Sequence, residues 1–269
     1  MRASFNVLKV HFLYFRIILR LAQYDRKATY HLYRLGFWWE LLSPLIQVLV
    51  YYLIFGVFVA RESIGVSDIP YISWLLGGII PWFFISATVI QGAKSIHTQL
   101  PLVVRTNFST TILPSIALVR NLPAFVIMSL LLCLILTVTG TSSAVNGWRL
   151  SYAFFEMWLF LGAINLLNAS ITVRFRDYQL MINASMRLLL FLSGVIIQLD
   201  FSQHQLLAKL MHLNPLLHII EGFRSGWFGI DNGRSLIVDS CYFWSITLII
   251  FACGAYIHQR YQKEYVNYM

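Results

Sequence analysis

Residues 122–139 read LPAFVIMSLLLCLILTVT, eighteen consecutive positions without a charge. At 1.5 Å per residue such a run nearly crosses the roughly 30 Å of hydrocarbon in a bilayer, and it exceeds what a buried core helix needs. Working outward, comparable stretches lie at 37–59 and 71–90 on one side and at 152–173, 178–199 and 240–257 on the other. The run at 122–139 extends back toward Ile112. Six spans follow, in an all-α integral membrane protein. Composition agrees: 58% of the 269 residues are hydrophobic and 12% are charged, against about 45–50% and about 25% in soluble chains. A soluble domain of this length could not hide that much apolar surface. The aromatic share of 16% excludes disorder. Cys133, Cys241 and Cys253 lack any CxxC spacing, so they are expected to pack as small buried hydrophobes.

The net charge of +9 would suggest nucleic acid in a soluble protein. Here its distribution points to a membrane and to no nucleic acid. Arg2, Lys9, Arg16, Arg20, Arg26, Lys27 and Arg34 precede the first span. Lys94, Arg105 and Arg120 follow the second, Arg174 and Arg176 the fourth, and Arg260 and Lys263 the last. The alternate connections hold Arg61, Arg149, Lys209, Arg224 and Arg234, mixed with most of the acids. Basic residues stay on the cytoplasmic face, so both termini are expected there. The chain then divides into an interfacial region (1–36), five spans (37–199), an outer hairpin (200–239), a sixth span (240–257) and a cytoplasmic tail (258–269), all one transmembrane domain.

Two segments are neither spans nor simple loops. Phe5, Leu8, Phe12, Phe15 and Leu19 recur at helical spacing, and the basic trios Arg2/Lys9/Arg16 and Arg20/Lys27/Arg34 repeat every seven residues. With no small-residue cleavage site, this reads as an amphipathic helix on the cytoplasmic interface, phenylalanines toward the acyl chains, rather than a signal peptide. A plain basic anchor is the competing reading. Between 200 and 239, Leu206, Leu210, Leu213 and Leu217 keep helical spacing, Asn214-Pro215 breaks it, and a second apolar piece runs from Leu216 to Phe228. Neither piece can span alone, which predicts a re-entrant hairpin of two half-helices packed against protein or a wet cavity.

Several chemistries lack their residues. No GxxxxGK[ST] phosphate loop, HExxH helix or paired-cysteine metal pattern is present, the seven histidines are scattered, and no DxD pair could hold a metal-bound nucleotide sugar. Few ionisable residues fall inside the spans, which argues against a proton-coupled carrier. No catalytic residue, metal or cofactor is expected on this chain.

The run LAQYDRKATYHLYRLGFWWELLSPLIQVLVYYLIFG (21–56) resembles the start of the membrane subunits of polysaccharide-exporting ABC transporters of the ABC-2 type. WLLGGIIPWFF (74–84), GAKSIHTQLPLVVRTNFSTTILP (92–114), RFRD (174–177) and NP (214–215) continue it along essentially the whole chain. Within that family, Tyr24-Asp25 with Lys27, and the LGxxWE of 35–40, are most similar to teichoic-acid translocation permeases. One departure is Asn107-Phe108-Ser109, where the family usually has Asn-Phe-Pro. The resemblance implies a multi-pass protein of a bacterial plasma membrane that pairs with a second copy of itself and with two copies of a separate ATPase. ATP and Mg2+ would sit on that ATPase, and the complex would export a lipid-linked polymer such as wall teichoic acid. O-antigen or capsule export on the same architecture is the alternative.

The resemblance also implies a coupling segment between the second and third spans, offering Lys94, His97, Gln99, Arg105 and Asn107 as polar contacts and Leu102 and Val103 as apolar knobs. Arg174, Arg176 and Asp177 form a second cytoplasmic cluster, equally explained by an intrachain salt bridge. A glycan path wants aromatic faces without strong hydrogen bonds. Tyr51, Tyr52 and Phe55 deep in the first span and Phe191 on the fifth could supply them, whereas Trp38 and Trp39 suit the interface belt. A lipid pyrophosphate wants cations: Arg26, Lys27 and Arg34 at the interface, and above all Arg187. Arg187 lies nine residues past Tyr178, about 13 Å along a helix, deep enough to mark a function unless the helix begins well inside the cytosol and the arginine snorkels. Asn165 and Asn168 share a face of the fourth span, suited to helix–helix hydrogen bonding or to substrate. Glu156 is expected to be solvated or paired near its outer end. Two different classes of protein compete with the exporter: a membrane-embedded transferase acting on a lipid-linked sugar, and a passive channel.

Overall fold

The computed structural model describes residues 2–30, 33–54, 69–106, 109–138, 145–196, 211–229, 236–262 and 265. Among them every regular element is helical. In chain order these are α1 (Arg2–Leu13), α2 (Phe15–Tyr30), α3 (Trp39–Tyr51), α4 (Tyr71–Thr106), α5 (Leu113–Val138) and α6 (Gly147–Arg174). They are followed by α7 (Tyr178–Leu192), α8 (Pro215–Phe228) and α9 (Leu236–Tyr261). Single 3-10 turns at Gly36–Trp38 and Thr110–Ile112 lead into α3 and α5.

Four helical stretches are long and apolar enough to cross a membrane: Tyr71–Gln99, Thr110–Val138, Gly147–Arg174 and Val238–Tyr261. Two shorter apolar helices, Trp39–Ile54 and Tyr178–Leu192, fall where the first and fifth spans were predicted. Residues 55–59, the end of the predicted first span, lie outside the described residues. The fifth helix stops seven positions before the predicted 199. Ser193 donates its amide to Leu189 and Gly194 follows at φ +62°, a left-handed turn that ends the helical ladder.

α4 is the hub. Its apolar length is enclosed by α5, α6, α7 and α8, whereas α5 and α9 turn most of theirs outward. That fits a sequence apolar on every side, and Leu75, Ile79 and Ile85 are completely covered. Past the end of the predicted second span, the expected coupling segment continues α4 as one helix through Thr106. Ile96 is completely buried among Ile18, Ala22 and Ile112, so tertiary packing carries the helix past the apolar stretch.

α1 and α2 meet at Tyr14, because α1 packs on α9 while α2 packs on α5. Each basic trio is therefore divided: Arg16 falls on α2 rather than α1, and Arg34 lies beyond the end of α2. The face against protein is Val7, Ile18 and Ala22, not the phenylalanines; Phe5, Phe12 and Phe15 point outward. Asn214 accepts a hydrogen bond from the Leu216 amide at 3.0 Å and Pro215 occupies the first turn, so the pair begins α8, which ends at Gly229 (φ +66°). α8 is buried against α4 and α6. Leu206 and Leu210, in the other predicted half-helix, lie outside the described residues. Cys241 and Cys253 are exposed on α9 and Cys133 is half-buried, so the predicted burial of the thiols is corrected.

Candidate functional site

α3, α4 and α7 enclose a pocket of about 300 Å³. Tyr51 and Gln47 line it from α3, Ser86 and Trp82 from α4, and Asn183 and Arg187 from α7. Asn183 and Arg187 are one helical turn apart and share a face. Arg187 is exposed, and no hydrogen bond or ion pair reaches it among the described residues. The cavity thus offers one cation, two amides and a hydroxyl between a tyrosine and a tryptophan. It can grip an anion while presenting flat apolar faces to the group beside it.

Of the residues singled out from sequence, Tyr51 and Arg187 meet here. Tyr52 is half-buried and packs on the core instead. Phe191 is exposed on α7 outside the lining, and Phe55 lies outside the described residues. Arg26, Lys27 and Arg34 do not line the pocket: Arg26 acts on Glu40, and the other two are exposed near the end of α2. Gln47, Ser86 and Asn183 were missed, although Asn183 and Arg187 four apart in one apolar run were the available signal.

A second arginine was also missed. Arg224 on α8 is 7% exposed. It donates from Nη1 to the Gly194 carbonyl and from Nη2 to the Val195 carbonyl, both at 2.7 Å, and lies 3.5 Å from the ring centre of Trp74. Those carbonyls belong to the turn that ends α7, so one guanidinium ties together α4, α7 and α8. Gly78 makes room: a Cβ there would collide with Nη2.

At the opposite end of α4, Lys94 is exposed and His97 half-buried. Gln99 donates to Asp25 of α2 at 3.1 Å, and Arg120 donates to Thr29 at 2.9 Å. Burial pushes the Asp25 carboxyl above its ordinary range, with Arg120 and Gln99 opposing. Leu102, Val103 and Arg105 sit on the helical extension, and Asn107 lies outside the described residues. Close by, His258 is completely buried within hydrogen-bond distance of Thr110, Thr111, Ser170 and Tyr265, joining the turn before α5 to α6, α9 and the tail. Arg174 stacks on Tyr261 at 4.6 Å, while Arg176 and Asp177 are exposed in the turn before α7.

The two asparagines of α6 part ways. Asn168 accepts from the Tyr178 hydroxyl at 2.9 Å, bonding α6 to α7, whereas Asn165 is completely buried against Gly92 with neither side-chain atom bonded. Glu156 is not solvated: it is buried and 3.3 Å from His218 of α8.

Residues 18–228 match the family model described as ABC-2 type transporter. The chain is 30% identical to an O-antigen export system permease protein RfbA of Myxococcus xanthus over 78% of this chain and 79% of that one. A protein of the same name from Klebsiella pneumoniae is 19% identical over the same shares.

Proposed function

The chain belongs to the ABC-2 type transporter family, and from that premise we propose that it is the membrane permease of an ATP-driven exporter of a lipid-linked polysaccharide of the O-antigen kind. The observation that carries this reading is the match, over more than three quarters of both chains, to a permease named for O-antigen export. The polar pocket supports it. Arg187 offers a cation for the pyrophosphate of a lipid carrier, and Tyr51 offers a face on which sugar rings slide without being trapped.

The drive comes from outside the chain. Two permease copies would pair with two ATPase subunits that bind ATP and Mg2+. The cytoplasmic contacts would be the extension of α4, with Lys94, His97, Gln99, Leu102, Val103 and Arg105, and the turn at Arg174, Arg176 and Asp177. α4 has 36 residues, about 54 Å of helix. It holds Trp82, Phe83, Ser86 and Ile90 on the pocket and the extension at its far end. A push on the extension therefore moves a pocket wall through one continuous helix. Six crossings, cytoplasmic termini and a re-entrant α8 complete the arrangement in the plasma membrane.

Wall teichoic acid is the second reading, favoured by Tyr24-Asp25 with Lys27 and by the LGxxWE of 35–40. Inactivating the gene and analysing lipid-linked polymer on each face of the membrane tests both. Accumulation inside, with loss outside, of a sugar-repeat polymer supports the first reading, and of a polyol-phosphate polymer the second. A normal distribution of polymer overturns the proposal.

A further inference from the structure

On another side of the bundle a cleft of about 430 Å³ runs between α1, α2, α5, α6 and α9. Val7, Phe15, Leu118, Trp158, Gly162 and Phe251 represent its walls. Its histidine and hydroxyl groups are already engaged. His11 bonds Ser115 at 2.6 Å, Thr111 meets His258 at 3.1 Å, and Thr247 donates to the Phe243 carbonyl at 2.8 Å. A largely apolar space whose His11, Ser115, Thr111 and Thr247 side chains are already bonded holds water poorly and suits a hydrocarbon. From Trp158 to Leu166 it follows eight residues of α6, about 12 Å along the helix axis. Phe15, Leu159 and Leu248 on its walls keep much of their surface uncovered, so it opens to the surroundings of the bundle.

Charge names the headgroup. α1 and the first half of α2 carry Arg2, Lys9, Arg16 and Arg20, and no carboxylate precedes Asp25. Lys9, Arg16 and Arg20 are exposed. We infer that the cleft holds an acyl chain of a resident anionic phospholipid whose headgroup lies against the basic α1–α2 pair. The site is separate from the proposed export path. The polar pocket is lined by α3, α4 and α7 and the cleft by α1, α2, α5, α6 and α9, so the two share no helix. A polymer carrier lodged in the cleft would have the bundle between it and Arg187. The lipid instead fixes α1 and α2 to the span bundle, beside the Gln99–Asp25 bond that ties α2 to the α4 extension.

The test uses the full-length protein purified in mild detergent, with native mass spectrometry reading bound lipid during titration with phosphatidylglycerol, phosphatidylcholine or a polyprenyl phosphate. Gly162→Leu fills the cleft without strain, because a Cβ at Gly162 meets only Leu118, at 4.0 Å. Its added carbons take the place of about three methylenes of chain, so phosphatidylglycerol affinity is expected to fall on the order of tenfold or more. The exposed triple variant Lys9→Gln/Arg16→Gln/Arg20→Gln keeps the cleft and is expected to lose the preference for phosphatidylglycerol over phosphatidylcholine. It serves as the test should Gly162→Leu fail to fold. Equal binding of the two phospholipids by the unaltered protein, undiminished binding by a folded Gly162→Leu, or displacement of phosphatidylglycerol by equimolar polyprenyl phosphate would each overturn the inference.

Discussion

Arg224 and Arg187 are both arginines on largely apolar helices, and the protein treats them in opposite ways. Arg224 is buried, with two carbonyls and an indole face around its guanidinium. Arg187 is exposed beside a polar pocket, with no partner among the described residues. A buried cation must be compensated by its own fold, or it unfolds its surroundings. A cation left open to its surroundings keeps its hydrogen-bonding capacity for something that binds. The first arginine holds the helices together; in the proposed function the second is the one offered to a ligand.

The contrast breaks most readily at Arg224. Arg224→Ala orphans two buried carbonyls and is expected to cost about 3 kcal/mol or more, read as a lowered melting temperature and loss of assembled protein. A variant as stable as the parent would remove the structural role. Gly78→Ala attacks the same knot from α4 by pushing a methyl against Nη2, for an expected cost of about 1–3 kcal/mol. Retention of the parent melting temperature would show that the guanidinium has room to shift.

His11 supplies a third case, a basic group that burial discharges instead of pairing. Burial lowers its pKa below the ordinary 6.5, with the hydrogen bond to the Val7 carbonyl opposing. The unfolded chain then takes up the proton more readily than the folded one. The docking of α1 is therefore complete above pH 6.5 and weakens as pH falls below it. The protection factors of the α1 amides, exchange rates corrected for their intrinsic pH dependence, should fall between pH 7 and 5. His258 faces the same region, so His11→Asn, which removes one titration only, should flatten the change; an identical profile in that variant would assign it elsewhere. The smallest effect on stability is expected at Arg187. Arg187→Ala should leave the melting temperature within what about 0.5 kcal/mol produces, and a large loss would make Arg187 a second structural arginine.

The same contrast explains what could be read from sequence. The uncharged 122–139 run and the neighbouring apolar stretches suffice to give an all-helical chain, because hydrocarbon leaves the backbone few other solutions. Arg187 stood out by its depth past Tyr178, and the structure places it on a pocket with Tyr51. Arg224 was lost in a tally of loop charges. Its partners are carbonyls, which carry no letter in a sequence, thirty positions away. The length of α4 was hidden for a related reason: the apolar run stops at Ile90, while Ile96 against α2 and α5 carries the helix on past Lys94, His97 and Gln99. Likewise, heptad spacing cannot reveal that α1 and α2 turn at Tyr14 toward different neighbours.

The most direct measurement compares the unaltered permease with Arg187→Ala, each reconstituted with its ATPase in vesicles, scoring nucleotide-dependent delivery of lipid-linked polysaccharide to the far side. The unaltered complex should deliver glycan only with ATP. The variant should assemble and hydrolyse ATP yet deliver on the order of tenfold less, the loss of one charged hydrogen-bonding contact. Equal delivery by both, or ATP consumed by the unaltered complex with no glycan crossing, would contradict the account.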